Sequence, residues 1–396
     1  MTATGLSVEL AQERMLALLA PLPTETMPVE KARGRYLASP LVASRTQPPA
    51  DLSAMDGYAT AGDGPWQRVG ESRCGEPYNG NLAPGQCVRI STGAILPAGS
   101  QAILIQENAH VEGGAITATQ PVEAGRHIRR KGFEFEAGDQ LLAAGTRIAP
   151  AQMALVRAAG QAEIETSRRP RLAILDCGDE LSSDPAQCAV HQIPASNAAM
   201  LEALAAGLAG TVERHPPLPD RLDNIVVALE AHRDADMLIL TGGASVGDHD
   251  LIRPALEKIG ARLDFWKVAM KPGKPLMVAR HDSQIILGLP GNPVSAFVTG
   301  FLFMLPGLRK LAGAAECLPT RLLLPLAEEL GPGGARREFL RARWTEGGLV
   351  PMGEQDSSAL SSLAAADALV DRPAHCDASA AGVHVPCYIL PSGRIA

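Results

Sequence analysis

An apolar run, Met237-Leu238-Ile239-Leu240, leads directly into Thr241-Gly242-Gly243-Ala244-Ser245-Val246-Gly247-Asp248-His249-Asp250. After it come Leu251, Ile252, Ala255, Leu256 and Ile259 at helical spacing, closing at Gly260. A short apolar run bounded in this way reads as a buried strand, and the spacing beyond the turn reads as a helix. Strand, glycine-rich turn and helix is how α/β proteins hold phosphate: glycines let backbone N–H groups approach the anion, and the helix N-terminus adds a favourable dipole. The turn also carries the carboxylates Asp248 and Asp250. Beside a phosphate they would repel the ligand unless a divalent cation lay between, so the pattern points to a phosphate or nucleotide together with Mg²⁺. A tight βα turn with an Asp helix cap is the plainer alternative.

The length, 396 residues, is enough for more than one domain with ample core. The net charge of −7 and the short basic cluster Arg126-His127-Ile128-Arg129-Arg130-Lys131 do not amount to a nucleic-acid groove. Seven scattered cysteines, none in C-x-x-C spacing, argue against a structural zinc. Their odd number, with no secretion signal in evidence, points to reduced thiols and a cytoplasmic protein. Pro21 and Pro23 interrupt the apolar residues near 15–22, so no signal peptide or membrane span is expected there.

The texture of the chain changes along its length. Ser7 is placed to cap an opening helix with Val8, Ala11, Met15, Leu18 and Leu19 on one side. Between about 21 and 165, glycine and proline punctuate short β-like pieces such as Cys87–Ile90 and Ala102–Gln106. From about 170 the pattern alternates between strand and helix. Arg171–Leu175 reads as a strand, Asn197–Leu208 as a helix capped by Ser196, and Thr211–Glu213 as a strand. Asp220 is expected to cap a helix running to His232, with Asp223 at the capping-box position. Strands near 265–270, 275–280 and 284–288 and an apolar helix Val294–Leu311 follow. This alternation predicts a three-layer, mostly parallel sheet whose ligands sit at the strands' carboxyl ends. The last part, about 319–396, returns to short β-like runs and reads as a separate β module.

Further motifs surround the glycine turn. Gly288-Leu289-Pro290-Gly291-Asn292-Pro293-Val294-Ser295 joins another strand to a helix; Asn292 or Ser295 could donate to an anion, or the segment could be a stiff connector. Phe265-Trp266-Lys267-Val268-Ala269-Met270-Lys271-Pro272-Gly273-Lys274-Pro275 sets two lysines around a Pro-Gly turn, as a positive clamp or a solvated turn. Carboxylates also stand in Ser53-Ala54-Met55-Asp56-Gly57-Tyr58-Ala59 and in Gly178-Asp179-Glu180-Leu181, the second at a strand end where ligand contact is favoured.

These motifs, with Arg89-Ile90-Ser91-Thr92-Gly93-Ala94, make the chain resemble the molybdopterin molybdenumtransferase family, the MoeA type that includes the E domain of gephyrin. The likeness runs from the opening helix to Ser357–Leu363. It implies insertion of molybdate into adenylylated molybdopterin with release of AMP, Mg²⁺ as cofactor, and a homodimer. A molybdopterin adenylyltransferase and recipient molybdoenzymes are implied as further partners. It implies four parts: an α/β molybdopterin-binding domain of residues 1–23 and 169–318, a hinge domain of 24–42 and 139–168, a β-rich domain of 43–138, and a C-terminal β-barrel of 319–396.

Carried over by position, Asp56 and Thr92 belong to the catalytic cleft on the β-rich domain. Glu180 and Asp250 are the Mg²⁺ and molybdate-side carboxylates, and Lys271 and Lys274 bind phosphate or molybdate. Gly242, Gly243 and Ser245 shape the pterin-phosphate turn, while Pro290 and Ser357 line the site. The chain departs from the family pattern at Leu52 (commonly Asn), Phe133 (Glu, leaving Glu134 nearby), Cys177 (Thr) and Ala195 (Asp). Two other functions stay open: the adenylyltransferase of molybdopterin, against which the extra domains and Asp56 argue, and a non-catalytic scaffold that binds the pterin nucleotide.

Overall fold

The computed structural model describes residues 5–243 and 251–391. Its centre is a six-stranded sheet ordered Thr211–Arg214, Arg171–Asp176, Met237–Thr241, Gln284–Leu289, Met277–His281, Arg262–Trp266. The first four strands are parallel; the last two are antiparallel additions at one edge. Met237–Thr241 is buried along its whole length because helices cover both faces. Alternate residues divide between two cores. Leu172, Ile174, Met237, Ile239, Ile285 and Leu287 face one side, whereas Ala173, Leu175, Leu238, Leu240 and Ile286 face the other.

The opening helix, Val8–Ala17, packs into the first of these cores, and the Ser7 hydroxyl accepts from the Leu10 N–H at 3.2 Å. The apolar segment after the second turn runs as Pro293–Thr299, a π-helical Gly300–Met304 and Leu305–Leu311. It is long and apolar enough to cross a membrane, but 89% of it is buried inside the fold, as a core helix would be.

Two caps differ from expectation. The helix after Pro219 begins at Leu222 with Arg221 as N-cap and no side-chain capping bond, so Asp220 does not cap it. Asp223, one position short of a capping box, instead takes Lys258 at 3.0 Å. Ser196 does precede Asn197–Ala205 but makes no cap bond; Asp176, at the end of a neighbouring strand, accepts from the Ala198 N–H at 3.1 Å. A long-range carboxylate thus satisfies the helix start. The edge strands also shift: the run expected near 265–270 is split between Arg262–Trp266 and Met270–Lys271, which join different sheets.

A second six-stranded sheet carries Gly57–Thr60 at an inner position, paired antiparallel with Gln86–Ile90 and Ala102–Ile105. Between it and the central sheet lies a small unit. Thr24–Pro28 pairs with Glu163–Ser167 and Leu41–Val42 with Gln140–Leu142, around a core of Val29, Leu41, Ile148, Val156 and Ile164. These pairings join segments about a hundred residues apart or more.

The third sheet is C-terminal. Leu322–Pro325, His384–Ile389, Ala368–Arg372, Arg337–Thr345 and Gly348–Pro351 pair in succession. A bridge between Leu326 and Leu349, with Ala327 N–H on the Leu349 carbonyl at 2.9 Å, brings the last strand back to the first. Met270–Lys271 from the α/β part adds in parallel to Arg337–Glu338, binding the two units through backbone hydrogen bonds.

Candidate active site at the strand ends

Two turns meet at the carboxyl ends of the parallel strands. Gly242 and Gly243 have φ of 83° and 60°, which side chains adopt only at a cost. A Cβ on Gly242 would also collide with the Cys177 carbonyl oxygen. A Cβ on Gly291, in the other turn, would stand 3.2 Å from the Gly242 Cα. The turns therefore touch backbone to backbone, and larger residues would hold them apart. Ser245, Asp248 and Asp250 lie outside the described residues.

A cleft of about 680 Å³ opens here. Its walls include Glu180, Asn197, Gly242, Gly243, Pro290 and Asn292. The carboxylates at this end do different work. Asp176 is buried, accepting the Thr241 hydroxyl at 2.6 Å and the Ala198 N–H. Asn197 extends the same network, donating to the Gly291 carbonyl at 2.7 Å and to the Thr241 hydroxyl at 3.3 Å. These bonds fix the two turns against the helix start. Glu180 is exposed at the cleft wall. Among the described residues no three His, Cys, Asp or Glu side chains converge as a metal cage. Glu180, with Asp220 also in the wall, would suit Mg²⁺, which keeps several waters and takes further oxygens from substrate phosphates.

The C-terminal sheet reaches the cleft through residues 354–360. The Asn292 amide donates to the Ser357 hydroxyl at 2.9 Å, and the Ser357 carbonyl accepts from the Val294 N–H at 3.0 Å. Ser358 and Leu360 are among the lining residues. Arg341, fully buried, donates to the Ala359 and Glu354 carbonyls at 3.3 and 3.0 Å and so holds this segment in shape. No local pattern flagged Arg341; its role depends on a loop more than a dozen residues away.

The lysine turn stands beside the cleft, which Pro275 lines. Lys271 and Lys274 are exposed. The Lys271 ammonium donates to Glu338 Oε1 at 3.3 Å, a partner that the sequence did not single out. Of the other turn's two candidate donors, Ser295 is buried and Asn292 is engaged with Ser357.

Asp56 and Thr92 come together on the second sheet. The Thr92 N–H donates to Asp56 Oδ1 at 2.7 Å and its hydroxyl to the same oxygen at 3.2 Å. These two bonds, the backbone one foremost, hold the exposed Asp56 carboxyl below its ordinary range. Arg89 stands close by, its guanidinium 5.2 Å from the Tyr58 ring centre and bonded to Gln106 at 2.7 Å. No residue of 43–138 lines the strand-end cleft, so within one chain Asp56 and Thr92 are not part of its wall.

The four departures have visible consequences. Cys177 is buried, and burial pushes its thiol up to about 12, so it stays protonated. Ala195 lines the cleft without a polar group. Leu52 joins a two-residue ladder with Arg129. Phe133 is 73% exposed, with the Arg129 guanidinium 6.0 Å from its ring centre.

Three family models match the chain in succession. They describe the MoeA N-terminal region (domain I and II) over residues 6–160, a probable molybdopterin binding domain over 173–310, and the MoeA C-terminal region (domain IV) over 324–390. The molybdopterin molybdenumtransferase of Haemophilus influenzae is 34% identical over 320 residues, covering 78% of this chain and 79% of that protein. That of Staphylococcus aureus (strain Mu50) is 31% identical over 382 residues, covering 92% and 91%. The crystal structure of the molybdopterin biosynthesis moeA protein from Pyrococcus horikoshii OT3 superposes with a TM-score of 0.84 at 25% identity, covering 98% of this chain and all of that one, 100%. With its motifs, its strand-end cleft and this end-to-end likeness in agreement, the chain belongs to the molybdopterin molybdenumtransferase family.

Proposed function

We propose that the protein is a molybdenum insertase: it transfers molybdate to adenylylated molybdopterin and releases AMP, completing the molybdenum cofactor. The observation that carries this reading is the convergence of Gly242, Gly243, Pro290, Asn292 and Glu180 on one cleft, with the lysine turn beside it. The names of the curated relatives support it over the adenylyltransferase alternative.

Molybdate is a dianion and the pterin substrate carries a pyrophosphate, so the site must supply positive charge. Lys271 and Lys274 do so as exposed ammonium groups, and the glycine turn at Gly242 and Gly243 offers backbone N–H groups to phosphate. Pro290 and Ser357 border the substrate, Ser357 through its bond to Asn292. Glu180, with Asp250, would hold Mg²⁺ together with substrate oxygens. When bound, the ion supplies Lewis-acid polarisation and a template for the oxyanion.

Asp56, kept ionised by Thr92, completes the site from a second copy of the chain in a homodimer, because the cleft of one copy lacks it. The division into domains of 1–23 with 169–318, 24–42 with 139–168, 43–138 and 319–396 belongs to the same reading, as do a cytoplasmic location and onward passage of the cofactor to recipient molybdoenzymes.

The test is AMP release by purified protein from adenylylated molybdopterin, with and without molybdate. An insertase releases AMP in a molybdate-dependent way and yields a cofactor that activates an apo-molybdoenzyme. An adenylyltransferase instead consumes ATP and molybdopterin to give pyrophosphate. No molybdate-dependent AMP release from active-site-intact protein would sink the proposal.

A further inference from the structure

Glu338 is nearly buried, with 9% of its side chain exposed, and it is shared by two cations. Its Oε1 accepts from the Lys271 ammonium at 3.3 Å, and its Oε2 faces the Arg372 guanidinium at 3.6 Å. Arg372 is itself buried, 7% exposed, and also donates to the Gly331 carbonyl. The geometry is set by backbone pairing: Met270–Lys271 lies parallel to Arg337–Glu338, with Lys271 opposite Glu338. Lys271 itself remains 54% exposed. An ammonium has three N–H donors, so one can rest on Glu338 while two face outward.

We propose that Glu338, anchored by Arg372, is a positioning residue that aims the Lys271 ammonium at the anionic substrate, so that the C-terminal sheet is a working part of the site. This rests on the reading of Lys271 as an anion-binding lysine. The pair Glu338–Arg372 is neutral on balance, and Lys271 adds one positive charge. Removing the carboxylate charge does two opposed things. It frees the lysine arm, which spoils alignment in the reaction, and it leaves two uncompensated cations, which strengthens the pull on a dianion. Loss of folded protein would not produce that pair of effects.

The experiment measures kcat and KM for molybdate with the full-length protein and its variants Glu338→Gln, Glu338→Asp, Lys271→Ala and Glu338→Gln/Lys271→Ala. Glu338→Gln should lower kcat about tenfold and lower KM for molybdate about threefold at low salt, the KM effect shrinking as salt screens it. Glu338→Asp keeps the charge on Arg372 and should recover part of kcat at near-normal KM; it also serves if Glu338→Gln unfolds. In the Lys271→Ala background the Glu338→Gln effect on kcat should vanish, because the two act as one unit. Additive losses, or a KM that rises with the fall in kcat, would overturn the role of Glu338 while leaving Lys271 in the site. Wild-type kinetics in Lys271→Ala would instead remove Lys271 from the reading, and this proposal with it.

Discussion

Asp176 and Asp56 make the same local bond and do opposite things with it. Each accepts from a threonine hydroxyl and a backbone N–H: Asp176 from Thr241 and Ala198, Asp56 from Thr92 alone. Asp176 lies in the packed centre of the α/β sheet, at 2% exposure, and both its oxygens are engaged. Asp56 is exposed just before the strand Gly57–Thr60, and both its bonds from Thr92 fall on Oδ1. Burial decides the difference. A buried carboxylate must have its lone pairs occupied or bear a desolvation cost, so it becomes scaffold. An exposed one can be oriented by partial bonding and still offer charge to a ligand. The Thr241 network holds two turns in place; the Thr92 pair orients one exposed carboxylate.

The comparison is broken most severely at the buried member. Asp176→Ala strands the Thr241 hydroxyl and the Ala198 N–H in a dry interior, and should cost about 3 kcal/mol of stability. For an α/β unit of this size that lowers the thermal midpoint by about 6–12 °C, checked by calorimetry. An unchanged midpoint would mean that water replaces the carboxylate and that the site is less closed than its burial implies.

The exposed member should fail in the other way. Asp56→Ala should leave the thermal midpoint unmoved yet cut turnover on the order of a hundredfold. If Asp56 serves the partner's cleft, co-expressing Asp56→Ala with Lys271→Ala restores activity, since a mixed dimer confines both lesions to one cleft. With random pairing roughly half the dimers are mixed, so about a quarter of all clefts should work. Differently tagged, purified mixed dimers with no activity above the parents would place Asp56 in its own chain's site or require both clefts together.

Glu180 is a second exposed carboxylate and sharpens the contrast. Glu180→Gln should weaken nucleotide-linked Mg²⁺ binding about tenfold and leave stability alone, measured by titration with and without nucleotide. Tight Mg²⁺ binding by the protein without nucleotide would contradict a site that borrows its ligands from substrate.

The smallest effect belongs to Thr92→Val, which removes the hydroxyl bond but keeps the stronger backbone one. Because the fold lowers the Asp56 pKa, the ionised form is favoured; that advantage is full above the ordinary aspartate value of about 4 and is lost as pH falls through the lowered value. The acid limb of kcat/KM should therefore move upward in Thr92→Val, with a rate loss of about threefold at neutral pH. An acid limb that does not move would show that Asp56 ionisation is not what the limb reports.

Much of this was legible in the chain. The capped opening helix, the central strand Met237–Thr241 with Gly242 and Gly243 at its end, the turn at Pro290–Asn292 and the apolar helix after it follow from local patterns, because periodicity records which faces a segment buries. The family resemblance put Glu180, Gly242, Gly243 and Pro290 in one site and Asp56 with Thr92 in the cleft on the β-rich domain; in the structure the first four line one cleft and Thr92 bonds Asp56. What local pattern could not carry was partnership at a distance. It put a cap at Asp220 where the helix starts without one, and it left Asp176 unnoticed although Asp176 caps a helix from another strand. It read Lys271 as one half of a clamp with Lys274; the fold pairs it with Glu338, sixty-seven residues on.

The order of apolar and polar residues therefore determined the strands, helices and turns of this protein, since each is stabilised by contacts within a few residues or by burial of one face. The tertiary structure decided which carboxylates became scaffold and which stayed available. That choice depends on desolvation and on partners brought in by parallel pairing, as at Lys271 and Glu338, or by loop docking, as at Asn292 and Ser357. Neither is encoded in the spacing of any single segment.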